Sequence, residues 1–218
     1  MPDPTAIAAN LKNLRARIAN AALQAGRDPA SITLIAVSKT HGPEAVAAAI
    51  AAGCHVFGEN RVQEAAAKFP RHGANLHLIG PLQTNKAALA VRLVNNIDVL
   101  DRPKLADAIA AAADAAGVLP NLLVQVNIGD EPQKAGIPTV QADAFIAAMK
   151  TRFGASLRGL MCIPPADASP APFFLRLKQL ADDHALPVRS MGMSGDFETA
   201  IACGATEIRV GSAIFGAR

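Results

Sequence analysis

Lys39 is the residue in this sequence best placed to act as a nucleophile. It follows the apolar run Leu34 to Val37, so a strand that buries this run carries the amine to its own end, partly withdrawn from water. A lysine so placed can form a Schiff base with an aldehyde. The plain alternative is a solvated lysine at a strand end. Near the C-terminus two hydroxyls each adjoin a glycine, Ser194 with Gly195 and Ser212 with Gly211. Both pairs come directly after candidate strands, where phosphate sites are often built from backbone N–H groups and helix N-termini. Taken singly, Ser194 reads equally as a helix N-cap and Gly211 as a turn glycine. Arg209 sits beside them, either as a fixed donor to a ligand ring or as half of an ion pair with Asp196 or Glu207.

For these residues to act together, the ends of several strands must share one face. The chain alternates short β-rich runs with longer Ala/Leu-rich helical stretches. Candidate strands are Ile32 to Ser38, His55 to Gly58, Leu76 to Ile79, Ile97 to Leu100, Asn121 to Ile128, Leu157 to Ile163, Arg189 to Met193 and Glu207 to Val210. Helical patterns fill the gaps at Pro43 to Ala52, Arg61 to Phe69, Asn85 to Val94, Pro103 to Ala116, Val140 to Arg152, Pro172 to Ala185 and Phe197 to Cys203. An additional amphipathic helix, Asp3 to Gly26, precedes them all. The repeat of about 25 residues is the size of a βα unit, and eight such units predict an α/β fold, a single closed (β/α)8 TIM barrel with an extra N-terminal helix. No Gly-rich dinucleotide turn follows the first strand, which argues against an open doubly wound sheet. One domain spanning residues 1–218 is expected, with its site at the C-terminal ends of the strands.

Composition excludes several classes. Of the 218 residues 51% are apolar and 18% charged, which supplies a packed core and leaves no room for extensive disorder. The net charge of +3 is scattered, and with no Trp or Tyr there is no stacking platform for nucleic acid. Cys54, Cys162 and Cys203 lie far apart in apolar runs and read as buried, reduced thiols, which implies a cytoplasmic protein. No signal peptide or membrane span is expected, and the five histidines lack HxH or HxxxH spacing, so no metal site is expected either.

Seven blocks carry a resemblance over nearly the whole chain: AVSKTH (36–41), FGENRVQE (57–64), HLIGPLQTNK (77–86), VNIGDEPQKAGI (126–137), LRGLMCIP (157–164), MGMSGDFETAI (191–201) and EIRVGSAIFGAR (207–218). In this order they resemble the YggS/PROSC family of pyridoxal 5′-phosphate-binding homeostasis proteins. The resemblance implies a barrel of the alanine racemase N-terminal type that holds pyridoxal phosphate as a Schiff base on Lys39. It further implies that Arg209 donates to the pyridine nitrogen and that Ser194, Gly211 and Ser212 hold the phosphate. Asn60 would lie near the ring, with Met161 and Met193 as apolar walls. Arg61 stands where the family often has Tyr, Ser212 where Thr is frequent, and Gly42 where Pro is common. Lys134 resembles a family lysine that acts in handing the cofactor on; the plain alternative is an exposed loop lysine.

The implied function is non-enzymatic: binding, buffering and delivering pyridoxal phosphate to apo-enzymes through transient contact, with effects on amino-acid and keto-acid balance. A racemase on the same barrel is the alternative. Racemisation of the alanine type needs a second base, a tyrosine from another domain, and this chain has no tyrosine. His77 and His41 remain conceivable bases. A class-I aldolase is less well supported, because Glu59 and Asp196 do not form an obvious carboxylate pair beside the lysine. A closed barrel exposes no sheet edge, so a monomer is expected, with neither nucleic acid nor membrane as partner.

Overall fold

The computed structural model describes residues 3–69 and 73–216. Its first helix, α1 (Pro4–Gln24), starts where local chemistry dictates. The Asp3 carboxylate accepts from the Thr5 N–H at 2.9 Å, and Pro4 occupies the first turn, where its missing N–H leaves no bond unmade. Ile7, Leu11, Leu14 and Ile18 recur at helical spacing and form one buried stripe.

Strands and helices then alternate as expected. In chain order they are β1 (Thr33–Val37), α2 (Pro43–Ala51), β2 (Val56–Glu59), α3 (Val62–Lys68), β3 (Asn75–Leu78), α4 (Ala87–Leu93), β4 (Asn96–Leu100) and α5 (Pro103–Ala116). The second half holds β5 (Asn121–Asn127), β6 (Ile137–Pro138), α6 (Thr139–Phe153), β7 (Leu157–Cys162), α7 (Ala171–Asp183), β8 (Val188–Ser190), α8 (Phe197–Ala202), β9 (Glu207–Val210) and α9 (Ser212–Phe215). The strands pair in parallel in the order β4-β3-β2-β1-β9-β8-β7-β5, and β4 also pairs with β5, so the ring closes into a (β/α)8 barrel. Two-residue β6 hooks onto the end of β5 and is not part of the ring.

Closure has one consequence for the site: β9, the last strand, lies beside β1, the first, with Ile35 opposite Arg209. Lys39 and the C-terminal loop are thereby neighbours although far apart in the sequence. Helix α9 has only four residues, too few to cover the seam between these strands. Helix α1 covers it, packing against α2, α8 and α9, with Asn10 Nδ2 donating to the Ile214 carbonyl at 3.0 Å. The extra N-terminal helix thus stands in the outer layer where a long eighth helix would be.

Two expectations are adjusted. Strand β8 stops at Ser190 because Gly192 turns the chain toward α8: its φ is +93°, and a Cβ there would lie 2.5 Å from the Cβ of Ala200. Cys203 is half-buried, not buried, whereas Cys54 and Cys162 are buried, and all three are free thiols. Among the described residues no helix is long and apolar enough to cross a membrane.

Candidate functional site

A cavity of about 280 Å³ opens where the C-terminal ends of the strands converge. Lys39, Asn60 and Arg209 line it, together with Met193 and Ser194 after β8 and Gly211 and Ser212 after β9. Seven of the eight residues singled out from sequence are therefore brought together. Met161 is not. It is fully buried in β7, and Ile163, two residues on and on the same strand face, forms the wall at the mouth. Met161 thus lies one layer below the cavity lining. Val37, Ile79 and Gly216, not singled out from the sequence, complete the lining together with His41, which the sequence offered only as a conceivable base.

Each side chain is placed by identifiable local structure. Asn60 follows β2, and Gly80 after β3 passes so close that a Cβ on Gly80 would lie 2.4 Å from the Asn60 carbonyl oxygen. Asp196, not Ser194, is the residue before α8, and its carboxylate accepts from the Met193 N–H at 2.6 Å. That contact folds the loop back and leaves Ser194 facing the cavity. At β9, Gly211 approaches the Val37 carbonyl so closely that a Cβ would stand 3.1 Å from its oxygen. The first N–H groups of the helical turn that follows have no intrahelical partner, which suits them to an anion.

Arg209 is buried in the floor. Its Nη1 donates to Ser190 Oγ and its Nη2 to the Cys162 carbonyl, each at 2.8 Å. Among the described residues it forms no ion pair with Asp196 or Glu207. Burial pulls its pKa down, opposed by Cys162, Asp98 and Glu207, and a guanidinium stays charged through the neutral range. Burial likewise pushes the Cys162 thiol up to about 12, so it is inert as a nucleophile.

Deeper in the barrel lies a polar cluster that sequence spacing gave no sign of. His77 Nδ1 is 3.0 Å from Asp98 Oδ2, and Asn96 Nδ2 is 3.0 Å from His77 Nε2. The Asn96 amide donates to Nε2, which leaves the imidazole proton on Nδ1 facing Asp98. Ligand atoms of His77, Asp98 and Glu207 all lie within 4.8 Å of one another, and Asp98 Oδ1 and Glu207 Oε2 are buried without partners. Such a donor set can hold a cation. Here both His77 nitrogens are engaged and the Arg209 charge acts on the same interior, so the arrangement suits a shared proton better than a metal. Burial and the Asp98 charge raise the Glu207 carboxyl to about 7, against the pull of His77, Arg209 and Ser190. Burial lowers the His77 pKa, but the charge and hydrogen bond of Asp98 outweigh it and leave it raised.

Two further residues fall outside the cavity. Arg61 is exposed and lines a separate hollow with Gln83 and Lys86. Lys134 is half-buried, donating to the Pro164 carbonyl at 2.9 Å and paired with Glu131 at 2.6 Å.

The family model for the alanine racemase N-terminal domain matches residues 3–218. The pyridoxal phosphate homeostasis protein of Escherichia coli strain K12 is 40% identical over 97% of both chains. That of Pseudomonas aeruginosa is 41% identical, covering 97% of this chain and 96% of its own. Among solved structures, PipY of Synechococcus elongatus with pyridoxal phosphate bound superposes with a TM-score of 0.82 at 35% identity, covering 96% of this chain and all of PipY. Alanine racemase of Corynebacterium glutamicum, at 21% identity and a TM-score of 0.70, shares the fold. With a family match along almost its entire length and close relatives of equal extent, this chain belongs to the alanine racemase N-terminal-domain family, in the branch of the pyridoxal phosphate homeostasis proteins.

Proposed function

We propose that the protein binds pyridoxal 5′-phosphate at the barrel mouth and acts as a non-enzymatic cytoplasmic carrier that buffers the cofactor and delivers it to apo-enzymes. The observation that carries this reading is the convergence of one amine, two hydroxyls and one buried guanidinium on a single cavity. Pyridoxal phosphate, when bound, supplies an aldehyde that an amine can capture and a ring that withdraws electrons. The residues present suit each part of it. Lys39 offers the amine. Ser194, Ser212 and the backbone N–H groups after Gly211 offer neutral donors to a phosphate. Arg209, fixed from below by Ser190 and the Cys162 carbonyl, has donors left for a ring nitrogen. Asn60, Met193 and Ile163 border the space between, and Met161 supports that wall from beneath.

A guanidinium at the ring nitrogen keeps that nitrogen unprotonated, which weakens the ring as an electron sink and favours storage over turnover. The chain also has no tyrosine to serve as the opposing base of an alanine-type racemase. We read the protein as a monomer, since the closed barrel leaves its long strands paired on both sides. Purified protein incubated with pyridoxal phosphate and dialysed should keep a visible absorption band that is absent in Lys39→Ala. It should turn over no D- or L-amino acid in a broad panel. Steady turnover that depends on Lys39 would replace the carrier reading with an enzymatic one.

A further inference from the structure

Lys39 does not simply end a strand; it occupies a β-turn over Ser38–His41, closed by the His41 N–H donating to the Ser38 carbonyl at 3.1 Å. Thr40, the next residue, has φ +68°. For a β-branched residue this left-handed conformation is strained, and it persists only where surrounding contacts hold it. Those contacts come from a charge cluster on the neighbouring βα unit. Lys68, buried at the end of α3, donates to the Ser38 carbonyl at 2.7 Å, to Glu59 at 2.9 Å and to Glu64 at 2.6 Å. Glu59 accepts from Ser38 Oγ at 2.7 Å, and Glu64 accepts from the Thr40 N–H at 2.6 Å. The residue before Lys39 is therefore tied to Glu59 and Lys68 and the residue after it to Glu64, and Lys68 joins the two carboxylates into one cluster.

A buried ammonium and a fully buried carboxylate are poor devices for stability alone, because desolvation offsets most of their attraction. They are good devices for fixing a geometry. We infer that Glu59, Glu64 and Lys68 are positioning residues, an ionic clamp that holds the strained Ser38–His41 turn so that the Lys39 amine meets the carbonyl of a cofactor already seated by its phosphate. This rests on the proposed binding of pyridoxal phosphate at Lys39. The clamp acts on the covalent step, while the hydroxyls after β8 and β9 act on the non-covalent one.

The two steps separate with two ligands. Pyridoxal 5′-phosphate has the aldehyde; pyridoxamine 5′-phosphate carries the same ring and phosphate and cannot condense with the lysine. Glu64, the half-buried member of the clamp, is the first to change. In Glu64→Ala the rate at which the visible band forms should fall on the order of tenfold or more, as expected for a displaced reacting group. The dissociation constant for pyridoxamine phosphate, read by fluorescence quenching or calorimetry, should stay within about twofold on the same reasoning. Glycine adopts positive φ without strain, so Thr40→Gly added to Glu64→Ala should restore much of the rate. Lys68→Met should act like Glu64→Ala and more strongly. Parallel weakening of both ligands, an unchanged rate in Glu64→Ala, or no recovery with Thr40→Gly would overturn the clamp. A wild-type protein that forms no lysine-dependent band would instead overturn the binding reading on which it rests.

Discussion

At the residue scale, the site divides its work between groups that hold and groups that are held. Ser194 and Ser212 are not buried and take no part in the core, so removing their hydroxyls should spare the fold. Each hydrogen bond to a charged group is worth about 1.5–3 kcal/mol, so Ser194→Ala with Ser212→Ala should weaken pyridoxal phosphate binding by at least about tenfold with no change in melting temperature. Equilibrium dialysis checks the first outcome and calorimetry the second; unchanged binding would move the phosphate to other loops. Arg209 is the opposite case. Arg209→Met strands the Ser190 hydroxyl and the Cys162 carbonyl in the floor, at about 1–3 kcal/mol for each unpaired group. Denaturant unfolding should show that loss even without cofactor, and an unchanged midpoint would mean the guanidinium is not anchored as described. Lys39, Arg209 and the two serines were legible in the sequence because each stands at a strand end beside turn residues. Lys68, His77, Asp98 and Glu207 were not: their roles depend on contacts across neighbouring strands, and nothing in their local spacing distinguishes them from ordinary helix or strand residues.

At the scale of elements, the first helix carries a structural duty that its position before the barrel conceals. It covers the seam between β1 and β9, the same seam that joins Lys39 to the C-terminal loop. Leu11 is fully buried in that contact. Leu11→Ala should destabilise the protein by about 2–5 kcal/mol, as large-to-small changes at packed sites do. Urea unfolding is the check, and a change below about 1 kcal/mol would show that the helix packs loosely. All eight strands of the ring were readable from apolar runs and the periods between them. The errors were at the ends. β8 was read too long because its apolar residues continue past Gly192, where the chain has already turned. Helix α9 and strand β6 are too short to leave a periodic signal. The resemblance implied Met161 as a wall residue, and the structure buries it in β7 below the cavity, a depth along the barrel axis that a sequence motif does not report.

For the whole molecule, the barrel interior carries ionisable groups beneath the binding cavity, and their titration is linked to stability. The folded-state pKa of Glu207, raised to about 7, lies above the ordinary carboxylate range of the unfolded chain. Between those two values the folded protein keeps a proton that the unfolded chain has released. The stability from this group is therefore present in full at acid pH and is lost as pH rises through about 7. The raised pKa of His77 acts in the same direction. Melting temperatures of the wild type should accordingly fall between about pH 5 and pH 7 more than those of Glu207→Gln, which has no proton to lose. Identical profiles for the two proteins would show that Glu207 is ionised throughout that range.

Capture of the cofactor by one amine, that of Lys39, underlies the proposed binding. Protein loaded with pyridoxal phosphate, reduced with borohydride and digested with protease should yield one phosphopyridoxyl-modified peptide by mass spectrometry, with the added mass on Lys39. The modification on Lys134, Lys68 or several surface lysines alike, with Lys39 unmodified, would contradict it.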